Sequence, residues 1–331
     1  MYGSRRRWGG RAIGGWLRDD ATDARTVPFT VEMIQPSGAS VIHAEQRGAR
    51  GTLMGCGGPV QAELSRVDSG DVLELRLRES DGHKTEAGGS ASLALRRGGD
   101  PEAVIPITTV RRAGDRVRAD LNGLQLDDGT WDVLWVEADG RSTPVATRDP
   151  GFSISERVAY LRRPRSRELR AIRDPRGRLR LRSSAVTPYA EVSWVETGAA
   201  SVTVSGLLAY TAQRDGSTSA RVIARQRARS GVVEAPAELV DGRFTCEIPL
   251  RPIVAAHDPE RAHNEWDLWL CEDGSQTELR LAAHADDIVG KKKKFVFPDT
   301  TLGEPAVHVR PYYTAEDDLS LLATLADKGG K

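Results

Sequence analysis

Two kinds of feature in this chain could do chemistry: a tryptophan beside a carboxylate, and two runs of cations. In Asn264-Glu265-Trp266-Asp267-Leu268-Trp269-Leu270, strand alternation puts Trp266, Leu268 and Leu270 on one side and Asp267 and Trp269 on the other. The first side is apolar and faces a core, the ordinary place for a ring such as Trp266. Trp269 projects from the opposite side beside Asp267, and an aromatic face next to a carboxylate is a common cradle for a sugar ring. Packing against a neighbouring domain is the competing use of that ring. Downstream come Lys291, Lys292, Lys293 and Lys294, then Arg310, Tyr312 and Tyr313. Cations of this kind attract phosphates, anionic lipid head groups or nucleic acid, while a sugar or polyol can rest against a tyrosine. These residues form the candidate ligand-binding set, with Lys291–Lys294 and Arg310 expected on one accessible face near Tyr312 or Tyr313.

The second cationic run holds ten arginines between Arg162 and Arg182, against Glu168 and Asp174. Charged residues also protect exposed strand edges, so a solvated edge competes with a polyanion-binding role. Aromatic residues are 5% of the chain and are not interleaved with the arginines, which argues against specific nucleic-acid binding.

Other chemistry finds little support. Three cysteines (Cys56, Cys246, Cys271) include no C-x-x-C, and the six histidines have no ligand spacing, so neither metal nor cofactor is expected. Cys246 and Cys271 read as reduced thiols, with Ala119 standing in the place of Cys246 in an earlier repeat. No phosphate-binding glycine loop or nucleophile elbow occurs. Asp286/Asp287 and Asp317/Asp318 are adjacent pairs, which a strand would send to opposite faces, so neither alone makes the opposed acid and base of a glycosidase. Carboxylates converging from separate strands remain a route to an enzyme.

The elements that must position these groups are strands. Short alternating segments such as Thr30–Ile34, Asp71–Leu77, Ala91–Arg96, Val202–Ser205, Arg221–Ala224 and Ala306–Arg310 lie between Gly, Asp, Asn, Ser and Pro turns. Hydrophobic residues make up 39%, and 47 basic residues balance 47 acidic ones, which argues against a histone-like or wholly polyanion-coating protein but leaves room for local basic patches. Trp131-Asp132-Val133-Leu134-Trp135 before Asp139-Gly140 repeats as Trp266-Asp267-Leu268-Trp269-Leu270 before Asp273-Gly274. Arg178–Leu181 and Asp318–Leu321 match downstream. The pattern predicts an all-β chain: two tandem antiparallel Ig-like β-sandwich domains from an internal duplication, 28–186 and 187–331, after a flexible basic arm, 1–27. Trp131 should overlay Trp266. Without an apolar targeting run, the expected location is cytoplasmic or peripheral at the inner membrane face.

The string Trp266–Leu270, His284–Ile288, Lys291–Pro298, Val309–Thr314 and Leu319–Leu321 resembles tandem β-sandwich accessory modules. Such linker and oligomerisation modules stand beside actinobacterial teichoic-acid-type glycosyltransferases and glycerophosphotransferases. The resemblance covers about residues 188–325, and 28–186 only through the repeat. It implies a non-catalytic carbohydrate- or polyol-phosphate-associated role in making a cell-surface polymer. It also implies a glycosyltransferase or glycerophosphotransferase partner, an anionic surface polymer as ligand, and homo-oligomers. No transferase domain is present in this sequence, since neither βαβ alternation nor a D-x-D after such a fold occurs. An oligomerising scaffold without a small ligand, or an unrecognised enzyme on a β-sandwich, are the alternatives.

Overall fold

The computed structural model describes residues 60–78, 92–100, 102–151, 153–212 and 215–326. The expected arm, the expected strand at Thr30–Ile34, and Cys56 lie outside them.

Period-two alternation builds strands throughout. The first half contains β1 (Gln61–Val67), β2 (Val72–Leu77), β3 (Ser92–Arg97), β4 (Val104–Ile107), β5 (Val110–Ala113) and β6 (Arg116–Asp120). It continues with β7 (Gly129–Val136), β8 (Ser142–Pro144), β9 (Ala146–Thr147), helix α1 (Ile154–Leu161), β10 (Arg167–Arg173) and β11 (Leu179–Ala185). The second half contains β12 (Tyr189–Thr197), β13 (Ser201–Ala209), β14 (Ser217–Gln226), β15 (Val232–Val240), β16 (Arg243–Pro249) and helix α2 (Leu250–Ala255). Then follow β17 (Asn264–Glu272), β18 (Glu278–Ala282), a 3₁₀ turn at Lys291–Lys293, β19 (Thr300–Leu302), β20 (Val307–Tyr313) and β21 (Leu319–Leu325). The two helices carry no clear sequence signal, because one or two turns are too short to establish a 3.6-residue period.

The strand pairing of the first half recurs in the second. Trp131 on β7 pairs with Leu181 on β11, and Trp266 on β17 pairs with Leu321 on β21. Both tryptophans are buried. The hairpin turns before β11 and β21 are built alike. Asp174 Oδ1 accepts the Arg176 and Arg178 amides, and Thr314 Oγ1 accepts those of Glu316 and Asp318. Gly177 and Asp317 hold positive φ in the two turns. The bulge between Ala62 and Leu64 in β1 returns between Val192 and Trp194 in β12. One expected equivalence is corrected by this register. Leu75 pairs with Val117 where Val204 pairs with Cys246, so Val117 occupies the place of Cys246, and Ala119 corresponds to Ile248.

The all-β expectation holds, but the second half is not a pair of open sheets facing each other. Its strands β14-β15-β16-β13-β12-β18-β17 run round into a closed, barrel-like ring, sealed where β14 pairs with β17. An odd ring cannot alternate direction throughout, so one pair must be parallel, and it is β12 with β18. The first half keeps the same parallel junction, β1 with β9, but opens at two corners. There β4 and β5 are separate strands on different neighbours, where the continuous β15 spans both roles. Likewise β8 pairs with β7 and β9 with β1, where β18 alone does both.

Each half buries its own apolar cluster, around Trp131 and around Trp266. A third cluster joins them: Tyr160 and Leu161 of α1 pack with Tyr189, Leu207 and Tyr210. There the Tyr210 amide donates to the Leu161 carbonyl at 2.7 Å, and buried Arg157 pairs with Glu168 at 2.7 Å. The Tyr210 hydroxyl donates to the same carboxylate. Much of the arginine run is consumed in this way. Arg165 pairs with Asp71, Arg170 with Glu168, and Arg178 and Arg180 with Asp174.

Candidate functional site

The outward residues of β17 are Glu265, Asp267 and Trp269, as alternation requires. Strand register then brings their partners. Asp267 lies opposite Ser320 on β21, which lies opposite Tyr312 on β20, so the three form one cross-strand row. Trp269 lies opposite Arg280 on β18, whose guanidinium sits 5.3 Å from the centre of its ring. Arg227 enters from the turn after β14. With Ser320 buried beneath them, Arg227, Glu265, Asp267, Trp269, Arg280, Lys292 and Tyr312 line an open groove of about 440 Å³ on the outside of the ring.

The floor of the groove is an ion-pair lattice. Arg227 donates to Asp267 Oδ1 at 2.6 Å and to Glu265 Oε2 at 2.7 Å. Arg280 donates to Asp267 Oδ1 at 3.0 Å, Ser320 Oγ at 2.8 Å, Asp318 Oδ2 at 3.1 Å and the Leu268 carbonyl at 2.9 Å. The Tyr312 hydroxyl donates to Glu265 Oε1 at 3.1 Å. Burial opposes the charge on Asp267, yet the hydrogen bond from Arg227 and the charges of Arg280 and Arg227 prevail, and its carboxyl lies below the usual range. The bond to Asp267 in turn pushes the Arg227 guanidinium up. Burial, reinforced by Glu265, pushes the Tyr312 phenol up to about 12.

Of the residues singled out from sequence, Asp267, Trp269, Lys292 and Tyr312 therefore share one groove. The others do not join them. Lys291 was expected to face solvent and is 2% exposed. Its ammonium donates to Asp286 Oδ1 at 2.7 Å and the Ile288 carbonyl at 2.6 Å, so it staples its own loop. Lys293 and Lys294 are exposed but outside the groove lining, because the run coils into a 3₁₀ turn and cannot present a single face. Arg310 shares the strand face of Tyr312 but pairs with Asp299 at 3.5 Å and is outside the groove lining. Tyr313, one residue on from Tyr312, takes the opposite face and packs into the core against Phe295 and Phe297.

Sequence reasoning missed Arg227 and Arg280. Arg280 was readable as the outward residue of Glu278–Ala282, whereas Arg227 sits in a turn and carried no signal. In the first half, Asp132 matches Asp267, is only 6% exposed, and is bound by Arg96 and Arg180. An aspartate under two arginines is thus a feature of the fold. The position of Trp269, however, is held there by buried Leu134, so the fold itself does not call for an aromatic. Cys246 and Cys271 are buried free thiols. Among the described residues no His, Cys, Asp and Glu cluster could hold a metal ion, and no helix is long and apolar enough to cross a membrane.

No family model and no curated protein matches the chain. Among solved structures it is similar to S. aureus TarS 217-571 at 13% identity and a TM-score of 0.33, over 52% of this chain and 51% of that one. It is similar to S. aureus TarS at 12% identity and the same TM-score, over 52% and 32% of the two chains. The S-layer protein rSbsC(31-844) aligns at 8% identity and a TM-score of 0.17, over 82% of this chain and 51% of that one. The chain thus spans about half the length of the TarS fragment, and likenesses of this strength assign no chemistry.

Proposed function

We propose that the chain is a non-catalytic carbohydrate-binding module, and that the groove over Trp269 holds a neutral sugar unit of a cell-surface polymer. The observation that carries this reading is Trp269 itself. It is a half-buried ring in an open polar groove, at a position where the first half keeps a buried leucine. The groove's arginines are already matched by Glu265, Asp267 and Asp318, so a hydroxyl-rich ring suits it better than a phosphate. The carboxylate beside Trp269 is ill suited to donate a proton to the ligand, since Asp267 is held ionised by two arginines. Glu191, the carboxyl that burial raises among the described residues, lies outside the groove lining. The polymer setting rests on the sequence resemblance, which also points to a glycosyltransferase or glycerophosphotransferase, on another chain or domain, as the catalytic partner. In this reading the anionic groups of such a polymer would meet Lys292 at the rim.

The test is titration of the protein with a panel of neutral and phosphorylated cell-wall oligosaccharides, followed by calorimetry, for wild type and Trp269→Ala. Binding of a neutral sugar that disappears in the variant, while the variant still melts cooperatively well above the titration temperature, supports the reading. Equal binding by the variant overturns it. A variant that changes the oligomeric state, with no sugar bound by either protein, replaces it with the oligomerising scaffold.

A further inference from the structure

The loop from Asp287 to Pro298 holds the two most exposed large hydrophobic residues among those described, Val289 at 77% and Val296 at 82%. Between them stand the exposed Lys292, Lys293 and Lys294. The only carboxylate in this stretch is that of Asp287. Exposed valines on a floppy loop would mean little, but this loop is pinned. The Gly290 and Lys291 amides donate to the two oxygens of Asp317 at 3.0 and 2.6 Å. Lys291 points inward to Asp286 and Ile288, and the Lys294 ammonium caps the Val289 carbonyl at 2.7 Å. Beyond the turn, the Phe295 and Phe297 rings each lie 5.9 Å from Tyr313 and anchor the exit to the core. The fold thus holds two apolar side chains and a set of cations outward on a fixed support, at no benefit to its own core.

We propose that this loop docks the protein on an anionic phospholipid bilayer, with Val289 and Val296 entering the interface and the lysines meeting the head groups. The combination selects the occupant. A soluble polyanion would satisfy the lysines and give the valines nothing, whereas a bilayer interface rewards both. The site meets the sugar groove only at Lys292, because neither valine, nor Lys293 or Lys294, lines the groove over Trp269.

The experiment is co-sedimentation of the full chain with vesicles of phosphatidylcholine alone or mixed with phosphatidylglycerol. Wild type should partition onto the mixed vesicles, and less so as salt rises. Lys293→Ser, which keeps the Lys294 bond to the Val289 carbonyl, should lose roughly five-fold in partitioning, from about 1 kcal/mol per lysine near an anionic surface. Val289→Ser/Val296→Ser should lose roughly ten-fold with its charge unchanged. Melting temperatures report whether each variant is folded, and the salt dependence of wild type stands in for a variant that is not. Equal partitioning onto both vesicle types, or none, overturns the proposal. So does a valine variant that binds like wild type, and if inorganic polyphosphate then displaces both, a soluble polyanion is the occupant instead.

Discussion

The Arg280 guanidinium lies over the ring of Trp269 and at the same time donates to Asp267. One side chain therefore both fixes the aromatic surface of the groove and neutralises the carboxylate beneath it. Structural support and ligand surface can be separated by mutation. Arg280→Ala leaves Asp267, Asp318 and Ser320 without their shared donor and should cost about 2–3 kcal/mol, since the side chain is mostly shielded. Trp269→Ala should cost less, about 1 kcal/mol, because the ring is only half-buried and loses chiefly its contact with Arg280. Urea unfolding of the two variants measures the difference, and equal losses would mean that Trp269 is chiefly a packing residue.

Gly206 occupies the bulge in β12 and β13, where an added Cβ would stand 1.8 Å from the Glu191 carbonyl oxygen. That atom belongs to the backbone of a paired strand beside the parallel junction and cannot swing aside. Gly206→Ala should destabilise the ring by at least about 2 kcal/mol. A melting temperature within a degree or so of wild type would show that the bulge relaxes freely.

Glu191 gives a pH dependence with a definite sign. Burial raises its carboxyl, against the hydrogen bonds it accepts from the His284 amide, the Tyr189 hydroxyl and the Ala285 amide. The folded state therefore binds the proton more tightly than the unfolded chain does. Its contribution is most favourable below the unfolded value near 4.5 and is lost as pH rises through the folded value. Glu191→Gln keeps a carbonyl acceptor and cannot ionise. Relative to wild type, the variant should gain stability as pH climbs from about 4 to 7. Parallel melting curves for the two proteins across that range would refute this.

Cys246 faces the core, and burial pushes its thiol up to about 12. Almost no thiolate exists at pH 8, so iodoacetamide should leave the Cys246 peptide unlabelled until the protein is unfolded. Cys246→Val should be nearly neutral, because Val117 already fills the matching place in the first half. Rapid labelling of the native protein, read peptide by peptide in a mass spectrometer, would place the thiol at the surface.

The lysine run shows why part of the site stayed hidden in the sequence. Four consecutive lysines look equivalent in the chain, but Gly290 in a left-handed conformation and Asp317 from a distant hairpin turn coil them. One ammonium goes inward and the rest outward. Tyr312 and Tyr313 part company for the opposite reason, which was readable: strand alternation alone sends neighbours to opposite faces.

The amino-acid sequence by itself determined the β class, the inward face of Trp131 and Trp266, the outward position of Asp267 and Trp269, and the matched segments Arg178–Leu181 and Asp318–Leu321. All of these follow from period-two patterning and turn chemistry, which act within a few residues. Tertiary structure alone decided that the second half closes as a ring while the first opens at two corners. Closure depends on β12 meeting β18 and β14 meeting β17, pairings between segments far apart in the chain that no local pattern encodes. It also decided which charges are matched. Arg227, Arg280, Asp267 and Asp318 come from separate strands and turns, and a cation is committed or left open only once register sets what lies within hydrogen-bond reach.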